Sequence, residues 1–346
     1  MAACNNSSDD KIGNEPQSIT LVVKAAIPSS NGTRAEVAPM PDPFTSVIED
    51  AYIYVVDYQG KVLVKSGLTA AEASAGKAIT TTTAAYDVLV VANYPASFTA
   101  PTYTTRSEIE SAAMNMSALD IAAPVAGNEH GSKFAMMYNV QATTIPASGD
   151  PRPVTVTIAP VVARMEIAQV AGDMTTADPG SPVATFTLAG VYMNNVYQSL
   201  TLANGITAGG GKLSGSDLTT RPAWSFDAYT NEYGGALTYA ATGGVWAYHF
   251  APVSDPNDVP GVILHLKDVV YGDASTAPAD LYVAVKKYVD GSDAPVTEFK
   301  RNHVYKISKL EFNHTHLSVT PQPTDINLTA TVTVQGWTFV PITPEF

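Results

Sequence analysis

Apolar and polar residues alternate along much of the chain with the period of two that is typical of β-strands. The first such segment runs from Ser18 to Ile27, and its polar positions include Ser18, Thr20 and Lys24. Because successive side chains of a strand point to opposite faces, one face of this segment should be buried. The residues predicted to form that face are Ile19, Leu21, Val23, Ala25 and Ile27.

The clearest alternation lies near the C-terminus. Its apolar positions are Ile326, Leu328, Ala330, Val332 and Val334. A shift of phase follows Gly336, which suggests a bulge or bend, and Trp337 and Phe339 then take the apolar positions. An exposed apolar strand promotes aggregation. This one must therefore be covered, either by its own domain or by another subunit.

Shorter strand-like runs fill the chain between these two segments, separated by Gly, Pro and Asn. Gly60 is predicted to close a turn after one of them. A single short helix is predicted at Ser107–Met116, with Ser107 as its N-cap and Glu110 completing a capping box. Short strands at this spacing are typical of antiparallel β-sandwiches. The fold class is therefore predicted to be all-β.

The chain has 346 residues, of which 45% are hydrophobic. This length exceeds what one ordinary core needs and suits two domains. We predict a polar, disordered tether over 1–17, an N-terminal sandwich over 18–165 and a C-terminal sandwich over 166–346.

The formal net charge of −13 disfavours binding to nucleic acid, because an acidic surface repels the phosphate backbone. Cys4 is the lone cysteine, so an intrachain disulfide is excluded. It follows two alanines and precedes the polar run 5–10, an arrangement similar to the end of a bacterial lipobox with Met1 in place of a removed signal. A lipid on Cys4 would anchor the precursor to a membrane. The alternative is a free thiol in the tail.

Candidate chemistry is sparse, so we expect no enzyme, no cofactor and no metal. His314 and His316 would lie on the same side of a strand and could bind a metal there. They lack a nearby cysteine, and a solvated pair is the simpler interpretation. The glycine run 209–211 lacks the flanking residues of a phosphate-binding loop and is interpreted as a turn.

Aromatic side chains offer a second function. Tryptophans on one sandwich face, together with the many tyrosines of the chain, could stack against sugar rings, although such residues are more often core. The alternative hypothesis is therefore a monomeric glycan-binding surface lipoprotein. The three tryptophans are Trp224, Trp246 and Trp337.

Arg34 is the only arginine among the first hundred residues. It lies in a loop rich in Gly, Ser and Pro behind the first strand, where a protease could reach the Arg34–Ala35 bond. The alternative is an ordinary loop charge. Arg106 and Arg152 also lie near turn residues and are rival cleavage sites.

Several segments together resemble the type V fimbrial subunits of Bacteroidales, the fimbrilin family. The resemblance keeps order and spacing over nearly the whole chain. The matching segments are Ala3-Cys4, Thr33-Arg34-Ala35, Ile48–Gly60 with its Asp-x-x-Gly turn, Tyr86–Pro95, Val162–Ile167, Phe299–Ile307 and Val332–Trp337.

This resemblance implies two transthyretin-like antiparallel β-sandwich domains and export as an outer-membrane lipoprotein precursor lipidated at Cys4. It implies cleavage between Arg34 and Ala35 by an Arg-specific protease. The first strand then leaves its groove, and a donor strand from another subunit enters. The implied partners are other fimbrial subunits, the protease and an adhesion target on a host or bacterial surface. The implied function is a structural subunit of a cell-surface fimbria that supports adhesion or biofilm formation.

Overall fold

A computed structural model describes residues 17–26, 48, 50–119, 137–138, 143–173, 182–203, 206, 210–229, 238–240, 246–323 and 328–336. Several predicted site residues lie outside these ranges. They are Cys4, Ile27, Arg34, Ala35, Ile326, Trp337 and Phe339.

The N-terminal half forms two sheets. One has the order β4-β1-β9, and the other has the order β10-β7-β5-β2-β3, with β8 also paired to β5. Both sheets contribute buried side chains to a common core. The elements are β1 (Ser18–Ala26), β2 (Asp50–Val56), β3 (Val62–Thr69), α1 (Ala70–Ala75), β4 (Lys77–Thr82), β5 (Asp87–Ala92), a 3-10 turn (Ala100–Thr102), α2 (Arg106–Ser111), β6 (Ala113–Asn115), α3 (Met116–Leu119), β7 (Met137–Tyr138), β8 (Thr143–Thr144), β9 (Arg152–Thr157) and β10 (Ala159–Pro160).

The C-terminal half is also a stack of sheets. Their orders are β19-β11-β22-β26, β18-β12-β23 and β17-β13-β20-β21-β24, with β25 also paired to β21. The elements are β11 (Ala163–Ile167), β12 (Gln169–Gly172), β13 (Val183–Asn194), β14 (Val196–Tyr197), β15 (Ser199–Thr201), β16 (Lys212–Leu213), a 3-10 turn (Ala223–Ser225), β17 (Phe226–Ala228), β18 (Thr238–Ala240), β19 (Trp246–Phe250), a 3-10 turn (Pro256–Asp258), β20 (Gly261–Tyr271), β21 (Leu281–Val289), β22 (His303–Ile307), β23 (Leu310–Phe312), a 3-10 turn (His314–His316), β24 (Leu317–Ser318), β25 (Leu328–Thr331) and β26 (Thr333–Gly336).

The two halves repeat one arrangement. In the N-terminal half, β1 lies between the antiparallel strand β4 and the parallel strand β9. In the C-terminal half, β11 lies between the antiparallel strand β19 and the parallel strand β22. The predicted all-β sandwich class is confirmed. The predicted junction between residues 165 and 166 falls inside β11, whose described partners belong to the C-terminal half, so we propose a boundary just before Ala163.

Backbone hydrogen bonds join the two halves. Strand β6 pairs with β15 in antiparallel register, with Leu200 opposite Met114. The amide of Met116 donates to the carbonyl of Gln198 at 2.8 Å. The segment after α2 therefore connects the N-terminal sandwich to the C-terminal one.

The predicted helix at Ser107–Met116 is shorter and begins earlier. Helix α2 spans Arg106–Ser111, and its N-cap is Thr105, which forms the capping box with Glu108. The sequence offers a Thr/Ser-x-x-Glu pattern at both places, and Ser107 was the wrong choice. The helix ends early because residues 113–115 pair with β15 instead. No helix among the described residues has the length and apolar character needed to span a bilayer.

Candidate assembly site in the first and last strands

Strand β1 is paired along both of its edges. It runs antiparallel to β4, with Ser18 opposite Thr82 and Val23 opposite Lys77. It runs parallel to β9 from Leu21 to Ala26. Beyond the ladder, the amide of Ile158 donates to the carbonyl of Ala26 at 2.9 Å. A chain without β1 would therefore have a gap between β4 and β9.

The inward face of β1 is the one that the alternation predicts. Leu21 and Val23 are fully buried, and Ile19 and Ala25 are nearly so. Lys24 is exposed on the opposite face. Burial of the three larger side chains contributes about 1.5–3 kcal/mol each, before the cost of ordering the strand is subtracted. The burial is observed, whereas displacement of this strand remains a prediction.

Helix α1 packs against the other face of β1. Its N-terminus is closed by a capping box between Thr69 and Glu72, and Gly76 ends it with φ of +97°. A Cβ atom on Gly76 would lie 2.9 Å from Cγ1 of Val22, so only glycine allows this approach. Sequence reasoning missed this contact, as it missed the bond from the Thr20 amide to Asp150 at 3.0 Å.

The C-terminal strand is used in two sheets of its own half. Strand β25 runs parallel to β21, with Ala330 opposite Tyr288. The amide of Val332 donates to the carbonyl of Val289 at 2.8 Å. Strand β26 then runs antiparallel to β22, with Val334 opposite Tyr305. The chain therefore passes from one sheet to the other at Val332.

The predicted apolar face of this segment is buried only in part. Leu328, Ala330 and Val332 are buried, whereas Val334 is 42% exposed. The loss of burial at Val334 follows the passage between sheets and lies ahead of the predicted shift at Gly336. The sequence left open whether this segment is covered by its own domain or by another subunit. The described residues 328–332 are covered by their own domain. Among the described strands, β26 is the last in its sheet order, so Val334 lies at an edge of that sheet.

The two rival arginines are held in ordered backbone. Arg106 lies in α2 and pairs with Asp87 at 3.3 Å and with Glu110 at 2.7 Å. Arg152 lies in β9 and donates to the carbonyls of Pro146 and Gly149, both at 2.9 Å. A protease binds its substrate in extended, accessible form, which disfavours both bonds as first cleavage sites.

The metal and tryptophan hypotheses find no support in the described residues. His314 and His316 belong to a 3-10 turn rather than a strand, and Nδ1 of His316 accepts from the Asn313 amide at 3.2 Å. Within the described ranges, no group of three His, Cys, Asp or Glu side chains could hold a metal ion. Trp224 and Trp246 are buried and cannot stack against a sugar.

A charged pair lies in strand β11 of the C-terminal sandwich. Arg164 is buried in β11 and donates from Nε to Glu166 at 2.7 Å. Its Nη1 lies 3.3 Å from Nε2 of His249 on β19. Burial, and secondly the charge of Arg164, lowers the pKa of the His249 ring well below its usual value. This cluster explains the arginine that the resemblance placed in a mid-chain strand, because the buried Arg164 is neutralised here by the partly buried carboxylate of Glu166.

Solved structures of other proteins share this fold. A fimbrilin from Porphyromonas gingivalis W83 superposes with a TM-score of 0.57 at 14% identity, over 94% of this chain and 99% of that one. A candidate cell adhesion protein from Parabacteroides distasonis ATCC 8503 superposes with a TM-score of 0.57 at 12% identity, over 92% of this chain and 100% of that one. Another candidate cell adhesion protein, from Bacteroides eggerthii DSM 20697, superposes with a TM-score of 0.53 at 15% identity, over 93% of this chain and 96% of that one. The chain has a fimbrilin-type fold.

The predicted resemblance to Bacteroidales fimbrilins is thus confirmed for the fold. No protein-family model matches the chain, and no curated protein matches it. The fimbrilin-type fold is shared over nearly the full length at low sequence identity, so the similarity lies in the architecture and not in the sequence. Its Asp-x-x-Gly turn is present as predicted, with Gly60 at φ of +81° and its amide donating to the Asp57 carbonyl at 2.9 Å.

Proposed function

We propose that this chain is a structural, non-enzymatic subunit of a cell-surface fimbria, assembled by removal of its first strand and entry of a donor strand. The observation that carries the proposal is the position of β1 between β4 and β9. A strand in this position leaves two unpaired ladders and an apolar slot when it departs. Such a slot accepts a second strand through main-chain hydrogen bonds and pockets for alternate side chains.

The C-terminal segment is the proposed donor. Its five apolar positions from Ile326 to Val334 repeat the spacing of the five in 19–27. Donation requires β25 and β26 to leave β21 and β22. The hydrogen bonds lost there are remade in the neighbour's groove, as in a domain swap. Departure would begin at the edge strand β26, where Val334 is already exposed.

Processing and location complete the proposal. Cys4 carries the lipid that holds the precursor at the outer membrane, and an Arg-specific protease cuts between Arg34 and Ala35. The mature subunit then lies in a surface fimbrium among other fimbrial subunits and supports adhesion or biofilm formation. The described similar structures are named fimbrilin or candidate adhesion proteins, which supports a surface role.

The test is digestion of the full-length protein with an Arg-specific protease, followed by a denaturing gel without boiling. We expect the first cut at Arg34–Ala35 and then a ladder of polymers. Arg34→Ala should remain full length and monomeric, whereas the matched control Arg152→Ala should be cut and polymerise normally. Normal polymerisation of the Arg34→Ala protein, or a first cut elsewhere, would refute the proposal that cleavage after Arg34 starts assembly.

The alternative of a monomeric glycan-binding lipoprotein predicts a single band in the same gel after cleavage. That alternative needs a platform of tryptophans and tyrosines on one sandwich face. Because Trp224 and Trp246 are core residues, the fimbrial proposal is preferred.

A further inference from the structure

An unassigned cleft lies at one end of the N-terminal sandwich, next to the turn that joins β2 and β3. Its volume is about 450 Å³, within the range of about 300–1,000 Å³ that small-molecule sites occupy. Three segments form its walls: the turn 57–60, the entry into β5, and helix α2 with its N-cap. None of them includes β1 or the C-terminal strand.

Two tyrosine rings lie at the cleft and are open to solvent. Tyr58 is 76% exposed and Tyr86 is 50% exposed. Among the described residues, Val319 and Val334 are the other large apolar side chains with comparable exposure. The exposed aromatic rings of the described chain are thus gathered at this cleft. An aromatic ring kept in water loses the stabilisation that burial would give, so this placement points to a ligand that covers the rings.

The polar groups of the cleft are fixed in place. Arg106 donates from Nε to Glu110 at 2.7 Å and from Nη1 to Asp87 at 3.3 Å. The Asp87 side chain is nearly buried. Because these side chains are already ordered, a ligand that binds them loses little of its binding energy to their immobilisation.

The walls are also tied to one another. The amide of Arg106 donates to the carbonyl of Gly60 at 2.7 Å, and that of Tyr86 donates to Val56 at 2.8 Å. One carboxylate oxygen of Asp57 accepts two backbone amides of its own turn. The cleft is therefore preformed.

Charge narrows the choice of ligand. The lining contains the carboxylates of Asp57, Asp87 and Glu110 against one guanidinium, that of Arg106, which makes it net acidic. A phosphate, sulfate or sugar acid would be repelled. A cationic side chain is also disfavoured, because Arg106 already occupies the position between two of these carboxylates and backbone amides engage the third.

We propose that this cleft binds the neutral sugar rings of a glycan. The C–H groups on one face of a pyranose are weakly positive and pack on the negative face of an aromatic ring. Its hydroxyls donate and accept at once, which matches a fixed network of guanidinium and carboxylates. The site is separate from the strands proposed to act in assembly, so it would give an assembled subunit a lateral contact with glycans.

The test uses the full chain and ligand-observed NMR with lactose, mannobiose and N,N′-diacetylchitobiose, followed by titration calorimetry. At least one of these neutral disaccharides should bind. Tyr58→Ala and Tyr86→Ala should each weaken its affinity about three- to tenfold, the loss expected for one aromatic contact. Val319→Ala is the matched control for an exposed apolar side chain and should leave affinity unchanged. Both tyrosines are solvent-exposed, so thermal unfolding of the variants should match that of the original chain.

Three results would overturn the proposal: no binding of any neutral disaccharide, equal affinity in the tyrosine variants, or binding of 3′-sialyllactose or an oligolysine peptide in preference to lactose. The double variant Tyr58→Ala/Tyr86→Ala should still form the polymer ladder after cleavage at Arg34. Loss of that ladder would assign the cleft to assembly instead, while loss of sugar binding alone leaves the fimbrial proposal intact.

Discussion

The strength with which β1 stays in its groove after cleavage can be measured by truncating Leu21. This side chain is fully buried at the centre of the inward face. Replacing a buried leucine by alanine typically costs about 2–5 kcal/mol, since both burial and packing are lost. Once the chain is cut behind β1, this strand is held without a covalent link to the rest of the sandwich. The lost energy should therefore appear in its rate of release.

A tenfold change in rate corresponds to about 1.4 kcal/mol. The lower estimate for Leu21→Ala thus predicts release about 30-fold faster than from the original chain. Cys4 provides the assay, because it is the lone thiol and lies on the segment that leaves. A fluorophore on Cys4 should lose anisotropy when the cut protein is mixed with excess peptide of sequence 326–334.

Lys24→Ala is the matched control, because Lys24 lies in the same strand with its side chain exposed on the opposite face. It should be released at close to the original rate. Uncut protein should release nothing in either form. If folded, cut Leu21→Ala protein released its strand at the original rate, the inward face would not hold β1, and the groove argument would fail.

Three further predictions follow from buried groups and from the tether. Truncation after Asp325 removes β25, β26 and the buried side chains they carry. Calorimetry should therefore show that the Tm of the C-terminal sandwich is lowered by several degrees. An unchanged Tm would mean that these strands add nothing to their own core. Burial keeps His249 neutral in the folded chain, whereas the unfolded chain protonates it below about pH 6.5. The free energy of unfolding should therefore fall by up to about 1.4 kcal/mol per pH unit as the pH drops from 6.5 towards 5.5. His249→Gln should flatten that slope in urea titrations, and an identical slope would exclude this ring as its source. A version of the chain with a signal peptide should incorporate palmitate at Cys4, and labelling that persists in Cys4→Ser would refute lipidation there.

Local periodicity was enough to predict the inward face of the first strand and that of the last segment as far as Val332. Leu21 and Val23 point inward because a strand alternates sides whatever its neighbours are. The turn at Asp57–Gly60 was equally local, since its aspartate side chain and glycine close it within four residues. These features depend on residues close together in sequence.

Features that depend on distant partners were not predictable in this way. Nothing near β1 indicates that its parallel neighbour is β9, which lies more than a hundred residues away. The passage of the last strand between sheets at Val332 depends on β21 and β22 together. The choice of Thr105 over Ser107 as helix cap was settled by contacts with the β2–β3 turn and with β15.

The passage of the last strand from β21 to β22 has a mechanical consequence. Tension applied along the chain end would pull β25 and β26 lengthwise against their neighbours, so it loads the paired hydrogen bonds in shear. Bonds loaded in shear must yield together, whereas bonds peeled from one end yield one by one. A terminus fastened to both layers would also spread the force over the whole sandwich. In a subunit that has not yet donated this strand, such a terminus would resist a pull along the strand strongly and still come away when lifted from the edge at Val334.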